Sequence, residues 1–325
     1  MQSSLRDTEA WPLVTVMITA RNRPEELAKT LRLLRRQSYP RLDVMVIDDA
    51  SEEPLGPVVL REWPAAELAR NEAPIGYMRS RSLGMARASG EYVLSLDDDS
   101  CLTRPDDVQR AVSRFEEEPK IAVLTFLLYE GDDLPPELPT GEGERYVRTF
   151  SGCAHMIRKE AIRDVGGYRD LYFYYAEEPE YSIRLIAAGW RILSYPAVVV
   201  HHRVSPIGRS WGRIHAYSYR NNVWTVLLLY PFPRVVTIAS WRILQNTMKM
   251  ARRGELRWLL WAVASLFAGL PWIARERAPV PTRVVRILDN LNVRKVQEWS
   301  DTDLERPVTL QERWRRMSVS RSSAR

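Results

Sequence analysis

Three carboxylates crowd one short stretch, YYAEEPEYSIRL, residues 174–185: Glu177, Glu178 and Glu180. Like charges this close disfavour joint ionisation, so at least one of them must keep its proton to higher pH than an isolated glutamate. Which one does so is a property of the cluster and is not assigned by position. Pro179 favours a helix beginning there, with Glu177 and Glu178 at the positive end of its dipole. Arg184 follows Glu180 by four residues, the spacing of a pair on one helix face. A carboxylate of raised proton affinity suits a general base that takes a proton from an attacking hydroxyl. An acidic helix start stabilised by the dipole accounts for the same residues without any chemistry.

Two further acid groups follow apolar runs: Asp48-Asp49 after LDVMVI, and Asp97-Asp98-Asp99 after YVLSL. Either alone reads equally well as a solubilising loop cap. Together, at the ends of neighbouring strands, they converge on one crevice, where ligands of open α/β sheets bind. Consecutive aspartates offer hard oxygen ligands to Mg2+ or Mn2+, whose other positions take water and phosphate oxygens. Asp49, standing apart, suits a hydrogen bond from a base edge or a ribose hydroxyl. No GxxxxGK[ST] or GxGxxG lies beside these strands, which disfavours Walker-type and dinucleotide-binding sites.

The elements that must hold these groups follow from periodicity. VTVMITA (14–20) is a β-branched buried strand, and EELAKTLRLLRRQ after Pro24 is a helix with Leu27, Leu31 and Leu34 on one face. LDVMVIDDAS supplies a second strand, completing a βαβ unit with a parallel pair. Helices are expected near 76–88, 158–164 and 179–188, and strands at 121–129 and 191–200. The Gly/Pro-rich acidic stretch 130–144 reads as a surface loop. An α/β domain therefore runs over 12–204, after an N-terminal tail of residues 1–11.

Beyond it, segments 215–230, 232–250 and 255–274 read as helices rich in Trp, Leu and Arg, within a helical region 205–298. LRWLLWAVASLFAGLPWIAR is the most apolar of them. Its seventeen uncharged residues between Arg257 and Arg275 are at the lower limit for a bilayer span, and Pro271 shortens the helix. An interfacial helix or one packed on the catalytic domain fits better. Residues 299–325 form a polar, basic tail expected to be disordered. Trp211, Arg213, Tyr219, Arg220 and Asn221 make an aromatic and basic patch that suits a polyprenyl-phosphate or glycan acceptor, and packing accounts for its aromatics equally well.

At this point a resemblance is clear. VTVMITARNRPEELAKTLRLLRRQSYPRLDVMVIDDAS resembles the opening of family 2 glycosyltransferases, the inverting GT-A enzymes that use nucleotide-activated sugars. RSLGMARASGEYVLSLDDDS, after Asn71 and Gly76, is similar to the family's stretch ending in its Asp-x-Asp motif. VGGYRDLYFYYAEEPEYSIRLIAAGW is similar to the segment that carries the family's base. The resemblance spans about residues 12–204 and implies a Rossmann-like mixed sheet flanked by helices, here with a C-terminal helical extension.

Carried over residue by residue, it implies that Thr19, Ala20, Arg21, Asn22 and Asp49 line the nucleotide pocket, with Arg81 and Asp98 contacting the donor. Asp97 and Asp99 form the Asp-x-Asp pair; of His201 and His202 after VVV, His202 is placed with them as a metal ligand, while a hydrogen bond to a phosphate oxygen and a solvent-facing loop histidine stay open as alternatives. Glu178 falls on the catalytic base and Glu177 on the acid preceding it; beside the resemblance, Glu177 and Glu180 are read as orienting the acceptor or the loop. The chain departs from the family pattern at Arg21, where an aromatic residue is usual, at Ser82, which replaces Asn, and at Glu180, which replaces Asp. A guanidinium also stacks on a base, so Arg21 leaves nucleotide binding intact and base identity open.

The implied donor is a UDP-, dTDP- or GDP-sugar, the cofactor Mg2+ or Mn2+, and the acceptor a hydroxyl of a glycan, lipid-linked or secondary-metabolite molecule. A net charge of +6 is compatible with phosphates and anionic membrane surfaces. Two cysteines in unlike contexts exclude a disulfide framework and fit a reducing compartment. MQSSLRDTEAWP lacks the form of a secretory signal. The expectation is a cytoplasmic protein, peripheral at the inner face of the membrane, with no nucleic-acid partner. A non-catalytic sugar-nucleotide binder is disfavoured because a binder needs no base. A membrane or nucleic-acid binder would explain only the C-terminal third.

Overall fold

A computed structural model describes residues 11–131, 133–135, 137–309 and 312. The strands are β1 (Val14–Ala20), β2 (Leu42–Asp48), β3 (Glu67–Arg70), β4 (Tyr92–Asp97), β5 (Ser100–Leu102), β6 (Ile121–Glu130), β7 (Arg145–Tyr146), β8 (Ala154–Arg158) and β9 (Arg191–His202). Between them lie α1 (Pro24–Leu34), α2 (Gly56–Glu62), α3 (Tyr77–Arg87), α4 (Asp107–Glu117), α5 (Lys159–Val165) and α6 (Glu178–Ala187). They make one mixed sheet in the order β3-β2-β1-β4-β8-β6-β9-β5, with β7 on β9. The parallel pairs are β1 with β2 and β4, β2 with β3, and β6 with β9; β8 runs antiparallel between β4 and β6.

The βαβ unit forms as its pattern requires. Every residue of β1 is buried, and Leu27, Leu31 and Leu34 of α1 are buried against the sheet, each leucine contributing about 1.5–3 kcal/mol. Chain reversal around β1 opens the crevice: β2 lies on one side of it and β4 on the other, so Thr19 pairs with Ile47 and with Asp97. The acids at the ends of β2 and β4 thus flank the end of β1. After the Asp98–Asp99 turn, β5 pairs antiparallel with β9 in a register that sets Ser100 opposite His202. That pairing brings the histidine to the aspartates.

Residues 211–293 contain helices alone: α7 (Trp211–Leu229), α8 (Arg234–Arg252), α9 (Leu256–Ala268), α10 (Leu270–Glu276) and α11 (Thr282–Val293). The apolar 255–274 segment is therefore two helices, not one. Gly269 marks the break, and a β-carbon there would stand 2.3 Å from the Trp224 ring of α7, so the backbone must pass close to that indole. Among the described residues no single helix is long and apolar enough to cross a membrane; α9 and α10, bent by 45°, reach that composition only as a pair. Part of the stretch read as a disordered tail is packed: α12 (Asp301–Leu304) is capped by the Ser300 side chain and buries Leu304. The rest of that tail from residue 310, save 312, lies outside the described residues, as do residues 1–10.

Candidate active site

A cavity of about 600 Å3 opens at the carboxyl ends of β1, β2 and β4. It gathers most of the residues singled out in the sequence: Thr19, Ala20, Arg21 and Asn22, Asp49, Arg81, Asp97 and Asp98, Glu177 and Glu178, and His202. Asp99 lies just behind this wall. Glu180 does not reach it.

The Glu177–Glu178 pair comes from the start of α6. Glu177 is buried; its Oε2 accepts a hydrogen bond from the Tyr77 hydroxyl at 3.1 Å, and its Oε1 lies 3.5 Å from Arg81 Nη1. Glu178 is held differently. Among the described residues no side chain donates a hydrogen bond to its carboxylate, and Oε1 rests over Gly152, where a β-carbon would approach to 2.3 Å. Burial, and then the charge of Glu177, push the Glu178 carboxyl up to about 8. Burial also raises Glu177, with Arg81 and Tyr77 opposing it. The crowding anticipated from the sequence therefore falls on this pair.

Of the two tasks expected of Glu180, contact with the acceptor does not fit its place outside the cavity, and holding a loop does. Its carboxylate accepts hydrogen bonds from Arg169 Nε at 2.7 Å and Arg184 Nε at 2.9 Å, buried on the far side of the helix. The i,i+4 pair with Arg184 forms as expected, and forming it turns Glu180 away from the cavity. Its place is structural, tying α6 to the 165–169 segment through Arg184, which also donates to the Val165 and Gly167 carbonyls.

The opposite wall carries the acidic cluster. Asp97, Asp99 and His202 place one ligand atom each within 4.8 Å of one another. Arg81 Nη2 donates to Asp97 Oδ1. Asp99 Oδ2 accepts from the Ser205 amide at 3.0 Å and from Arg23 Nη1 at 3.3 Å, while its Oδ1 and both ring nitrogens of His202 are buried with no hydrogen-bond partner among the described residues. Orphaned buried polar atoms are rare and costly; here Asp99 Oδ1 and His202 Nε2 face each other across 3.4 Å, and His202 Nδ1 lies 3.4 Å from Glu130 Oε1. Burial raises Asp99, but the imidazole outweighs it and holds the carboxyl down to about 2; burial lowers His202, but Asp99 and Cys153 outweigh it and raise the imidazole to about 10. Two oxygens and an imidazole are a donor set for Mn2+ or Mg2+, and a divalent cation held there would displace the imidazolium proton. Asp98 points to Arg23 at 3.0 Å; burial, with its neighbouring aspartates adding and Arg23 opposing, pushes it up to about 7.

Two residues of the expected nucleotide wall line the cavity and also hold loops in place. The Asp49 carboxylate accepts from Asn71 Nδ2 and the amides of Ile75 and Gly76, all at 2.9 Å, so it braces the 71–76 loop. Asn22, at φ 57°, exchanges hydrogen bonds with Glu52 and closes the β1 and β2 loops on each other. Thr19, Ala20 and exposed Arg21 remain at the cavity wall.

Sequence reasoning passed over Arg23, Tyr77 and Gly152. Arg23 stands directly before the proline that opens α1, and Tyr77 directly after the left-handed Gly76, so only their adjacency to motif residues could have marked them. Gly152 belongs to SGCAH, ahead of β8, a strand that periodicity did not reveal. Of the aromatic and basic patch, Arg213 lines the cavity and Trp211 is exposed, whereas Tyr219, Arg220 and Asn221 are buried; packing accounts for those three.

The family model described as Glycosyl transferase family 2 matches residues 15–171. The amylovoran biosynthesis glycosyltransferase AmsB of Erwinia amylovora is 30% identical over 162 residues, 46% of this chain and 54% of that protein. The N-acetylglucosaminyl-diphospho-decaprenol L-rhamnosyltransferase of Mycobacterium tuberculosis is 26% identical over 125 residues, 35% of this chain and 41% of that protein. Such matches span between 17% and 56% of the curated relatives' own lengths. Among solved structures, the mannosyltransferase PcManGT of Pyrobaculum calidifontis, in complex with GDP-Man and Mn2+, is similar with a TM-score of 0.57 at 19% identity, covering 82% of this chain and 77% of that one. At that identity the likeness is one of fold.

Proposed function

Residues 15–171 form a domain of glycosyl transferase family 2, and from that premise we propose that the chain moves a sugar from a nucleotide-diphospho-sugar to an acceptor hydroxyl with inversion, Glu178 serving as base. The observation that carries this reading is the Glu178 carboxylate, without a side-chain donor among the described residues, in one cavity with Asp97 and His202. The acceptor hydroxyl hydrogen-bonds to Glu178 and gives it the proton as its oxygen attacks the anomeric carbon. The bond to the diphosphate breaks on the opposite face, its electron pair leaving with the nucleotide. A single carboxylate suffices, because no covalent enzyme intermediate forms.

Arg81 joins the two halves of the site, bonded to Asp97 on the donor side and set beside Glu177 on the base side, beneath the Tyr77 ring at 4.7 Å. Asp97, Asp99 and His202 would hold Mg2+ or Mn2+, which neutralises charge on the departing diphosphate. Support for a metal comes from the orphaned atoms of Asp99 and His202 and from Mn2+ in the mannosyltransferase of like fold. The donor is a UDP-, dTDP- or GDP-sugar.

The acceptor is a glycan or lipid-linked molecule met at a membrane, the chain sitting peripherally on its cytoplasmic face. Helices α8 and α9 pack on α7 and on each other, and their outer faces expose Trp241, Leu244 and Met248 on the first and Leu256, Leu260 and Phe267 on the second. Residues 231–254 contain no acid, and Lys249, Arg252 and Arg257 stand exposed beside this apolar layer. Apolar side chains fringed by cations fit an anionic bilayer surface.

A panel of nucleotide sugars with Mg2+ or Mn2+, read as donor hydrolysis and thermal stabilisation, tests the reading. A metal-dependent response to one donor supports it; no response to any donor overturns it.

A further inference from the structure

The loop that carries Glu177 and Glu178 has a backbone that these residues do not adopt unaided. Phe173, Tyr175 and Ala176 all have positive φ, at 59°, 57° and 61°, a region where the β-carbon of an L-residue crowds the carbonyl. Such conformations persist only where the surroundings over-determine them.

Two buried side chains of α7 do so. Asn221 Nδ2 donates to the carbonyls of Tyr172, Tyr174 and Tyr175 at 3.0, 2.9 and 2.6 Å, its two hydrogens shared among three acceptors. Arg220 Nη2 donates to the carbonyls of Leu171 and Tyr172 at 3.1 and 2.7 Å, and its Nε donates to Asn221 Oδ1 at 2.9 Å, which fixes the orientation of the amide. The same guanidinium lies on the Trp224 and Tyr217 rings at 4.2 and 4.6 Å, and its Nη1 donates to Ser265 Oγ of α9 at 3.1 Å. From the cavity side, the Tyr77 hydroxyl accepts from the Tyr175 amide at 2.8 Å while donating to Glu177. The strained loop is thus pinned on one side by the donor-site helix α3 and on the other by the C-terminal helices.

We propose that Arg220 and Asn221 are positioning residues for the transfer: by clamping residues 171–175 they fix where Glu177 and Glu178 stand. The C-terminal helices are then part of the catalytic machinery as well as a surface for the acceptor. This inference rests on the assignment of Glu178 as base. A guanidinium and an amide suit the task because the clamped groups are all backbone carbonyls, which need donors and nothing else.

The test uses the full chain with Asn221→Ala and Arg220→Lys, alongside Glu178→Gln. UDP, GDP and dTDP with Mn2+ serve as binding probes that count intact nucleotide sites, and turnover is expressed per site so counted. The expected result is kcat per site lowered about 100-fold in Asn221→Ala, with nucleotide affinity unchanged. Lysine at position 220 keeps the charge but cannot bond the two carbonyls, the amide and Ser265 together, so it lowers kcat in the same way. A residue that served folding alone would reduce the number of sites and leave kcat per site unaltered. If Asn221→Ala binds no nucleotide, Arg220→Lys decides by the same criterion. Wild-type kcat per site in the variant that binds, with Glu178→Gln inactive, overturns the positioning role alone; full turnover in Glu178→Gln overturns the base assignment itself.

Discussion

The Glu178 carboxylate lies directly over Gly152, so close that a β-carbon there would stand 2.3 Å from Oε1 and 3.3 Å from Arg81 Nη1. Gly152 is not in the left-handed region, so the requirement for glycine is one of space. Strand β8 begins two residues later, between β4 and β6, and it sets the floor on which the α6 carboxylate rests.

Gly152→Ala is therefore expected to move the base and leave the fold in place, since the atom that must yield is the end of a flexible side chain. A displacement of this kind costs on the order of 100-fold in kcat. Nucleotide affinity and the thermal midpoint should stay close to wild type, measured by calorimetry and by melting.

The raised carboxyl of Glu178 predicts two opposite pH effects. A base must be ionised, so kcat/KM should climb with pH, reach half its maximum near 8 and level off above that. Stability runs the other way: the folded value lies above the ordinary carboxylate range, so the folded state favours the proton, and stability is lost as pH rises from about 4.3 through that value. Glu178→Gln should lower turnover by about 100-fold or more and abolish the ascending limb. Its melting temperature relative to wild type should increase between pH 5 and pH 9 by at least about 2 °C.

Asp99→Asn and His202→Ala each remove a ligand atom from the cluster at which buried atoms lack hydrogen-bond partners among the described residues. Saturating Mn2+ at 100 times its Kd would stabilise the wild type by about 2.7 kcal/mol, and both variants should lose that stabilisation. Thermal melts with and without Mn2+ measure it, independently of turnover. An equal Mn2+ response in all three proteins would refute the assignment.

Leu260 and Phe267 are exposed by 71% and 61% on the outer face of α9. Leu260→Glu should weaken binding to vesicles containing anionic lipid by roughly tenfold or more, and Phe267→Glu likewise. Turnover with a water-soluble acceptor should be unchanged, because neither residue lines the cavity. Vesicle sedimentation set beside a soluble assay separates the two effects.

Much of this protein was legible in its sequence because regular elements announce themselves by period. β1, α1 and β2 follow from a buried β-branched run, a leucine face and a second apolar run, and α6 begins one residue before the proline that predicted it. The acids at the ends of β2 and β4 come together because parallel strands beside β1 must end at one edge of the sheet. Short strands such as β5 and β8 are too brief to carry a period, and the break at Gly269 depends on a tryptophan 45 residues away.

By itself, then, the sequence determined which residue types are present and that Glu177, Glu178, Asp97, Asp99 and His202 are available for chemistry. Tertiary structure decided how each is used, because hydrogen-bond capacity is finite and partners distant in sequence compete for it. Asp49 braces the 71–76 loop from the cavity wall, Glu180 is taken up by Arg169 and Arg184, and Asn221 by three carbonyls before Glu177. Among the described residues Glu178 is left without a side-chain donor, resting over Gly152, and its burial beside Glu177 raises its affinity for a proton.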